Sequence, residues 1–438
     1  MTNFKENIIS SFLLFENTLN GEQNSSFHKT RVGALNYFKK HGFPTTKDED
    51  WRYTNISSLL KHDYKIGARE KADIELIDIK KYFLQEIDTY KLVFVDGVFN
   101  SWLSSTSWDN YFIGCMCDAK RSHPDVLEKH LGKIASFKKN SFCAINTAFT
   151  NKGAFVYIPK GVEVKKPIQI MWLTSNAEKI LFNQPRILIV AEENAKVQVV
   201  ERHQSIFGTN TLNNSVCEIF CDKEAWVDYY KVQNDDKNAS LFDSTYVHQK
   251  KKSVCNLTTL SFGGRFTRNY LHFDLSEEHI EANLNGISLI GKNQFVDHHT
   301  FVDHRFPNCN SNELYKGIFD ENARGVFNGK VMVRSNAQKT NAFQQNNNII
   351  LTNEASIDTK PQLEIFADDV KCSHGCTIGQ LDEDALFYLQ SRGIARKEAT
   401  ALLLFAFKND VMAHIKIPTL KQKLNKLIAQ KLNVSFDL

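Results

Sequence analysis

From about Gly153 to Gly375 the chain runs as short segments rich in Val, Ile, Phe, Tyr and Thr, broken by Asn, Asp, Lys and Gly, with almost no helical periodicity. This long all-β stretch sets the architecture of the whole chain. Within it a polar-Ala-x-apolar phrase recurs: NAKV at Ala195, EAWV at Ala225, NARGV at Ala323 with one extra residue, and NEASI at Ala355. The members of each pair stand 30 and 32 residues apart, and the gap between the pairs is close to three such units. A period near thirty is what a stacked β-solenoid produces, because each coil must repeat its turn and its inward-facing residues to cover the coil below. A β-sandwich also supplies short strands; the repeat favours the solenoid.

The flanks read differently. The opening MTNFKENIISSFLLFENTLNG is an amphipathic helix pattern with Glu6 and Glu16 flanking its apolar run, not a secretory signal. FHKTRVGALNYFKKHGFP reads as a helix ended by Gly42 and Pro44, KLVFVDGVF as strand, and DVLEKHLGKIASFKK as a helix over Asp125–Lys139. After Asp382, DEDALFYLQSRG has an N-cap aspartate, acids in the first turn and Gly393 as a stop. A second helix is predicted over Lys397–Ile415, and past Pro418 a third with Leu420, Leu424, Leu427 and Ile428 on one stripe. The expected domains are a helical or mixed unit over 1–145, a β core over 146–380 and a helical unit over 381–438. Arg396–Leu438 holds eight basic and three acidic side chains. A solvated face explains these most simply; an acidic groove on a partner is the sharper alternative.

Composition narrows the function. The 438 residues carry a net charge of only +4 with signs interleaved, which argues against nucleic acid as partner. The apolar run ALLLFAF is far shorter than the roughly 20 residues of a membrane span, so a cytoplasmic protein is expected. Nine cysteines, an odd number in a chain this large, suggest reduced thiols and not a disulfide framework.

Four candidate sites arise. GISLIGKN over Gly286–Asn293 nearly spells a phosphate-binding loop, but Asn293 stands where a hydroxyl should be and strand-like residues follow where a helix is needed. Any ATP hydrolysis is therefore expected in a partner chain. DHHTFVDH gathers Asp297, His298, His299, Asp303 and His304, yet strand alternation puts Asp297, His299 and Asp303 on one face and His298 and His304 on the other. The pairs Cys115/Cys117 and Cys217/Cys221 each lack a second pair at zinc-site spacing. The fourth, DDVKCSHGC, is the best. Cys372, His374 and Cys376 are two apart and share one face of a strand, where an imidazole beside a thiol favours the thiolate that binds iron or carries sulfur. Soft ligands at the edge of a β-domain leave coordination unfilled, which suits a transient metal site shared with a partner; two buried cysteines and a capping histidine are the plain alternative.

Several phrases carry a resemblance. VKCSHGCTIGQLDEDALFYLQSRGI, KPQLEIFADDVKCSHG, AQKTNAFQQNNNIILTNEASIDT, ELYKGIFDENARGVFNGKV, FVDHHTFVDH and EDWRYTN resemble the SufB/SufD family of iron–sulfur cluster assembly proteins, on its SufD branch. The resemblance spans nearly the whole chain and is densest over residues 260–395. It implies a right-handed parallel β-helix between N-terminal and C-terminal helical regions. It also implies a SufB-like homologous scaffold and a SufC-like ABC ATPase docking on the C-terminal helices as partners, with self-pairing open to the isolated chain. Cys372 and His374 would lie at the partner interface and serve a nascent cluster, bound only in passing. Cys376 falls where many relatives have alanine, as an additional ligand or a packed thiol. The expected function is that of a non-catalytic assembly subunit. The competing classes are a β-solenoid carbohydrate-active enzyme, which would need paired carboxylates in a groove, and a self-contained metal-binding structural protein.

Overall fold

The computed structural model of the chain describes residues 4–19, 21–22, 25–66, 79–175, 180–206, 208 and 210–434. The β-rich stretch winds into a parallel solenoid of about eight coils, each giving one strand to each of two facing sheets. The first sheet ends, toward the C-terminus, with Phe295–His304, Arg324–Val333 and Ser356–Ile365. The second ends with Asn310–Phe319, Asn341–Ile350 and Lys371–Gly379. Successive strands pair parallel one coil apart, so that Leu257 lies on Leu284, Leu284 on Glu313, Glu313 on Gln344 and Gln344 on His374.

Alternation along each strand explains the core. Val197, Val199, Val227, Leu257 and Leu284 from the second sheet meet Ile187, Ile189, Val247, Leu271 and Phe273 from the first inside the coil. Each such side chain contributes roughly 1.5–3 kcal/mol when fully buried. The interior is not uniformly apolar. In the middle coils Lys231 pairs across the coil with Asp243 and lies 3.8 Å from Glu201, all three buried. Toward the C-terminus Glu313, Gln344 and Asn346 take inward positions.

The corners explain the repeat. Asn194, Glu224, Lys252, His279, Asn308 and Lys339 all have positive φ, and each stands two residues before a second-sheet strand. The next residue, Ala195, Ala225, Ser253, Ile280, Cys309 or Thr340, is wholly buried under the corner. Ala323 and Ala355, by contrast, lead into first-sheet strands. The phrase therefore marks two different corners of the coil, each burying one residue beneath a tight bend, mostly a small one with Ile280 the exception, and not a single series of equivalent positions.

The N-terminal end of the solenoid is closed. Phe112–Cys115 pairs antiparallel with Ala154–Ile158, and Tyr90–Val95 pairs with Ile168–Thr174 before turning back through Asp96 and Gly97, both at positive φ, into Val98–Phe99. At the other end Ser356–Ile365 and Lys371–Gly379 are the outermost strands, and among the described residues no strand pairs with their outer edges.

Helices cover the outer faces. Phe4–Glu16, Ser26–His41 and Ser141–Phe149 bury Phe4, Ile8, Phe38 and Phe142 against Phe182, Leu212, Phe242 and Phe266 of the first sheet. Arg396–Met412 and Pro418–Lys431 bury Leu404, Val411, Leu420 and Leu424 against Tyr230, Leu260, Ile287 and Ile318 of the second. Asp382 caps Glu383–Ser391 through its Oδ1, which accepts from the Asp384 and Ala385 N–H groups at 2.9 and 3.2 Å.

Three expectations are corrected. The helix expected over Asp125–Lys139 stops at His130, because the buried Glu218 carboxylate accepts the N–H groups of Gly132, Ile134 and Ala135 and holds that segment in a loop. Cys115 and Cys117 form a disulfide; Cys115 caps the helix Met116–Ser122 and its Sγ accepts the Cys117 N–H, which folds the second sulfur back on the first. The other seven cysteines are free. The basic C-terminal helices are more than a solvated face: Lys423 Nζ donates to the Lys81 and Phe83 carbonyls at 2.7 Å, and Lys408 is buried. Among the described residues no helix is long and apolar enough to cross a membrane.

Candidate functional site

The strand Lys371–Gly379 is the last of the second sheet, and the turn before it tucks Ala367 under the corner. Alternation turns Cys372, His374, Cys376 and Ile378 toward the coil interior, above Ala342, Gln344, Asn346 and Asn348. Among the described residues no strand lies above them, so side chains that would be core in an earlier coil are here half-buried or exposed. The face shared by Cys372, His374 and Cys376 follows from their two-residue spacing.

Each of the three has its own surroundings. Cys372 rests on Val331, Val333, Ala342 and Leu363, and this partial burial pushes its thiol above the usual cysteine range. In the isolated chain, then, the neighbouring imidazole does not activate the thiol as the spacing alone suggests. The His374 ring makes no hydrogen bond among the described residues. Cys376 Sγ lies 2.8 Å from Thr359 Oγ1 on the facing strand and 3.9 Å from Asn346 Oδ1. Asp369 pairs with Lys339 at the corner and stands apart from the group.

Two thiols and an imidazole are soft donors suited to iron and to iron–sulfur clusters. Among the described residues no three His, Cys, Asp or Glu side chains converge in metal-binding geometry.

The coils beneath supply groups that composition and spacing do not single out. Glu313 is buried, accepting at Oε2 from Thr300 Oγ1 at 2.7 Å and from Gln344 Nε2 at 3.3 Å. Burial pushes its carboxyl up to about 7, against the two hydrogen bonds that lower it. The signal that finds Glu313 and Gln344 is the coil period itself, counted back from His374.

The other candidates fall away from this end. DHHTFVDH splits as alternation requires. His298 and His304 point inward to Ser288 Oγ at 2.9 Å and Ser311 Oγ at 2.8 Å, whereas Asp303 faces out to Arg334 and Arg305. Asp297 and His299 face the N-terminal segment 49–54. There Arg268 pairs with Asp297, donates to the Asp50 carbonyl at 2.7 Å and lies 3.9 Å from the Trp51 ring centre, while Thr54 Oγ1 donates to Asp297 at 2.5 Å. This group clasps the chain to the solenoid. GISLIGKN forms the end of a strand and a turn into another strand, with no helix to receive phosphate. Cys217 and Cys221 are buried core. Two clefts, of about 320 and 500 Å³, lie against Phe149 and Phe182 and against His130 and His248, away from the open end.

Comparison with known proteins accords with this architecture. Residues 173–407 match the family model described as SUF system FeS cluster assembly, SufBD core domain, and residues 2–170 match the SufBD protein N-terminal region. The chain belongs to the SufBD family. It is 32% identical over 94% of its length to an iron–sulfur cluster assembly SufBD family protein of Synechocystis, covering 92% of that protein. It is 27% identical to the iron–sulfur cluster assembly protein SufD of Escherichia coli over 91% of both chains. The match to SufB of Bacillus subtilis, 29% identical, covers 66% of this chain and 62% of that one. This SufBD protein is SufD-like, an iron–sulfur cluster assembly protein whose family role is that of a scaffold subunit.

Proposed function

We propose that the chain is the accessory, non-hydrolytic subunit of a cytoplasmic Suf-type complex, built with a SufB-like scaffold and a SufC-like ABC ATPase. The observation that carries this is the open last coil. Two long strands leave their outer backbone edges unpaired, and exposed parallel edges are templates for another chain. A SufB-like solenoid covering this end would bring its own donors to Cys372 and His374 and complete a transient site for iron or a nascent cluster, with Cys376 as an additional ligand. The thiol of Cys372, which burial pushes above the usual cysteine range, would then be activated by the metal.

The ATPase is assigned to the C-terminal unit, taken as 381–438 beside a core over 146–380 and an N-terminal unit over 1–145. Glu383–Ser391 exposes Phe387 and Tyr388, 73% and 58% accessible, more apolar surface than a short capped helix needs for itself. Movement of the ATPase would open and close the end of the solenoid.

Anaerobic affinity capture of the chain from its own cells, with mass-spectrometric identification, tests the partners. Recovery of an ABC ATPase and a homologous scaffold is expected; recovery of the chain alone, with both partners expressed, would overturn the reading. In the reconstituted complex, His374→Ala is expected to lower cluster yield at least tenfold while leaving assembly intact.

A further inference from the structure

The open end has a built floor. Glu313, Gln344 and His374 form one register column over three successive coils, all on interior-facing positions. Glu313 and Gln344 are 3% and 2% exposed, and His374 at the top is open to solvent. The carboxylate decides how the Gln344 amide is turned, because only the NH₂ end can donate to Glu313 Oε2. The other end of the amide, Oε1, is buried with no hydrogen-bond partner among the described residues. Across the coil Gly329 makes room for this amide: a Cβ there would stand 2.4 Å from Gln344 Nε2. A buried amide oxygen left without a donor is retained only at a cost, and two and three coils earlier the same register position is filled by apolar Leu284 and Leu257.

We propose that Glu313 and Gln344 are positioning residues of the Cys372/His374 site: Glu313 fixes the Gln344 amide so that its Oε1 accepts the N–H of the His374 ring, leaving the other ring nitrogen, with its lone pair, turned outward to iron or a nascent cluster. The inference rests on the assignment of His374 above. Metal-ligating histidines characteristically donate their second N–H to such an acceptor, which sets tautomer and ring orientation. Here the acceptor comes from the coil beneath and is itself held by a carboxylate one coil deeper. Cys372, seated on apolar Ala342, has no equivalent support, so His374 is the better oriented of the two ligands.

The test uses ¹⁵N-histidine-labelled full-length chain, with His374 assigned by its loss in His374→Ala, and cluster yield in the reconstituted complex. One ring tautomer is expected to dominate in the parent. Gln344→Leu is expected to give the tautomer mixture of free imidazole and a cluster yield about tenfold lower, with complex assembly unchanged. Exchanging the pair, Glu313→Gln together with Gln344→Glu, restores an acceptor beneath the ring and should return the single tautomer and most of the yield. If Gln344→Leu does not fold, Glu313→Met removes the acceptor that holds the amide with little change in volume and should mix the tautomers. An unchanged tautomer in the variant that folds would overturn the proposal. A tautomer that shifts while His374→Ala leaves cluster yield intact would keep the positioning and remove the role of His374 in the cluster.

Discussion

Arg268 shows how one side chain ties a distant segment to the solenoid. Its guanidinium serves Asp297, the Asp50 carbonyl, the Trp51 ring and His299 Nδ1 at 3.1 Å, all near or within the EDWRYTN phrase. Asp297 is fully buried, and burial raises its carboxyl despite the arginine beside it. Removing the arginine leaves a buried charge without compensation, which typically costs about 3–5 kcal/mol. Arg268→Ala is therefore expected to destabilise by that order in a denaturant titration and to speed tryptic cleavage after Arg52. Adding Asp297→Asn should recover part of the loss, because the uncompensated charge goes with it. Stability unchanged in the single variant would show that the clasp is incidental.

At the scale of an element, the C-terminal helices are fastened by lysines that composition alone assigns to solvent. Lys408 Nζ lies 3.7 Å from the Phe405 ring centre and donates to Asn425 Oδ1 at 2.6 Å and Asn409 Oδ1 at 3.2 Å. Burial, with Lys421 adding to it, lowers its ammonium to about 8 from an ordinary 10.5. A cation whose folded value is lowered weakens the fold wherever it must stay charged, so the penalty is full below pH 8 and is relieved as pH rises toward 10.5. Lys408→Met is expected to raise the melting temperature at pH 7 and to lose that advantage by about pH 10. A melting temperature that falls at both pH values would mean that the amide contacts outweigh the desolvation.

For the whole molecule, the buried imidazoles govern behaviour in acid. Burial lowers His298 to about 3, and lowers His130 and His304 to about 4, from an ordinary 6.5. The unfolded chain takes up these protons first, so each contribution is intact above pH 6.5 and is lost as pH falls toward the folded value, at up to about 1.4 kcal/mol per pH unit for each group. Glu313 acts oppositely, because its raised carboxyl binds a proton in the folded state between about 7 and 4.5. His299, also lowered by burial, adds to the imidazoles, and Asp235, Asp243 and Asp297, raised by burial, add to Glu313; between pH 6.5 and 5 the four imidazoles are expected to lead. Circular dichroism is expected to show stability declining below about pH 6, and Glu313→Gln should gain stability relative to the parent more at pH 8 than at pH 5. A flat profile from pH 7 to 5 would contradict neutral burial of the histidines.

The sequence by itself determined what depends on local periodicity. Two-residue alternation puts Cys372, His374 and Cys376 on one face and splits His298 from His299; a thirty-residue period reads as a solenoid; Asp382 and Gly393 bound a helix. It also carried the phrases that mark the SufBD family. What it left undecided depends on register between coils. Coil lengths vary with each corner, so Glu313 and Gln344 fall beneath His374 only once every corner is placed, and the alanine phrase proved to mark two corners. The folding of Cys117 back onto Cys115, the loop drawn out by Glu218 and the burial of Lys408 likewise arise from neighbours remote in sequence or from the geometry of a cap. The sequence places Cys372, His374 and Cys376 at the end of the β-domain. Only the tertiary structure decided that they face the coil interior with no strand paired beyond them among the described residues, because which face is inward is set by the coils beneath.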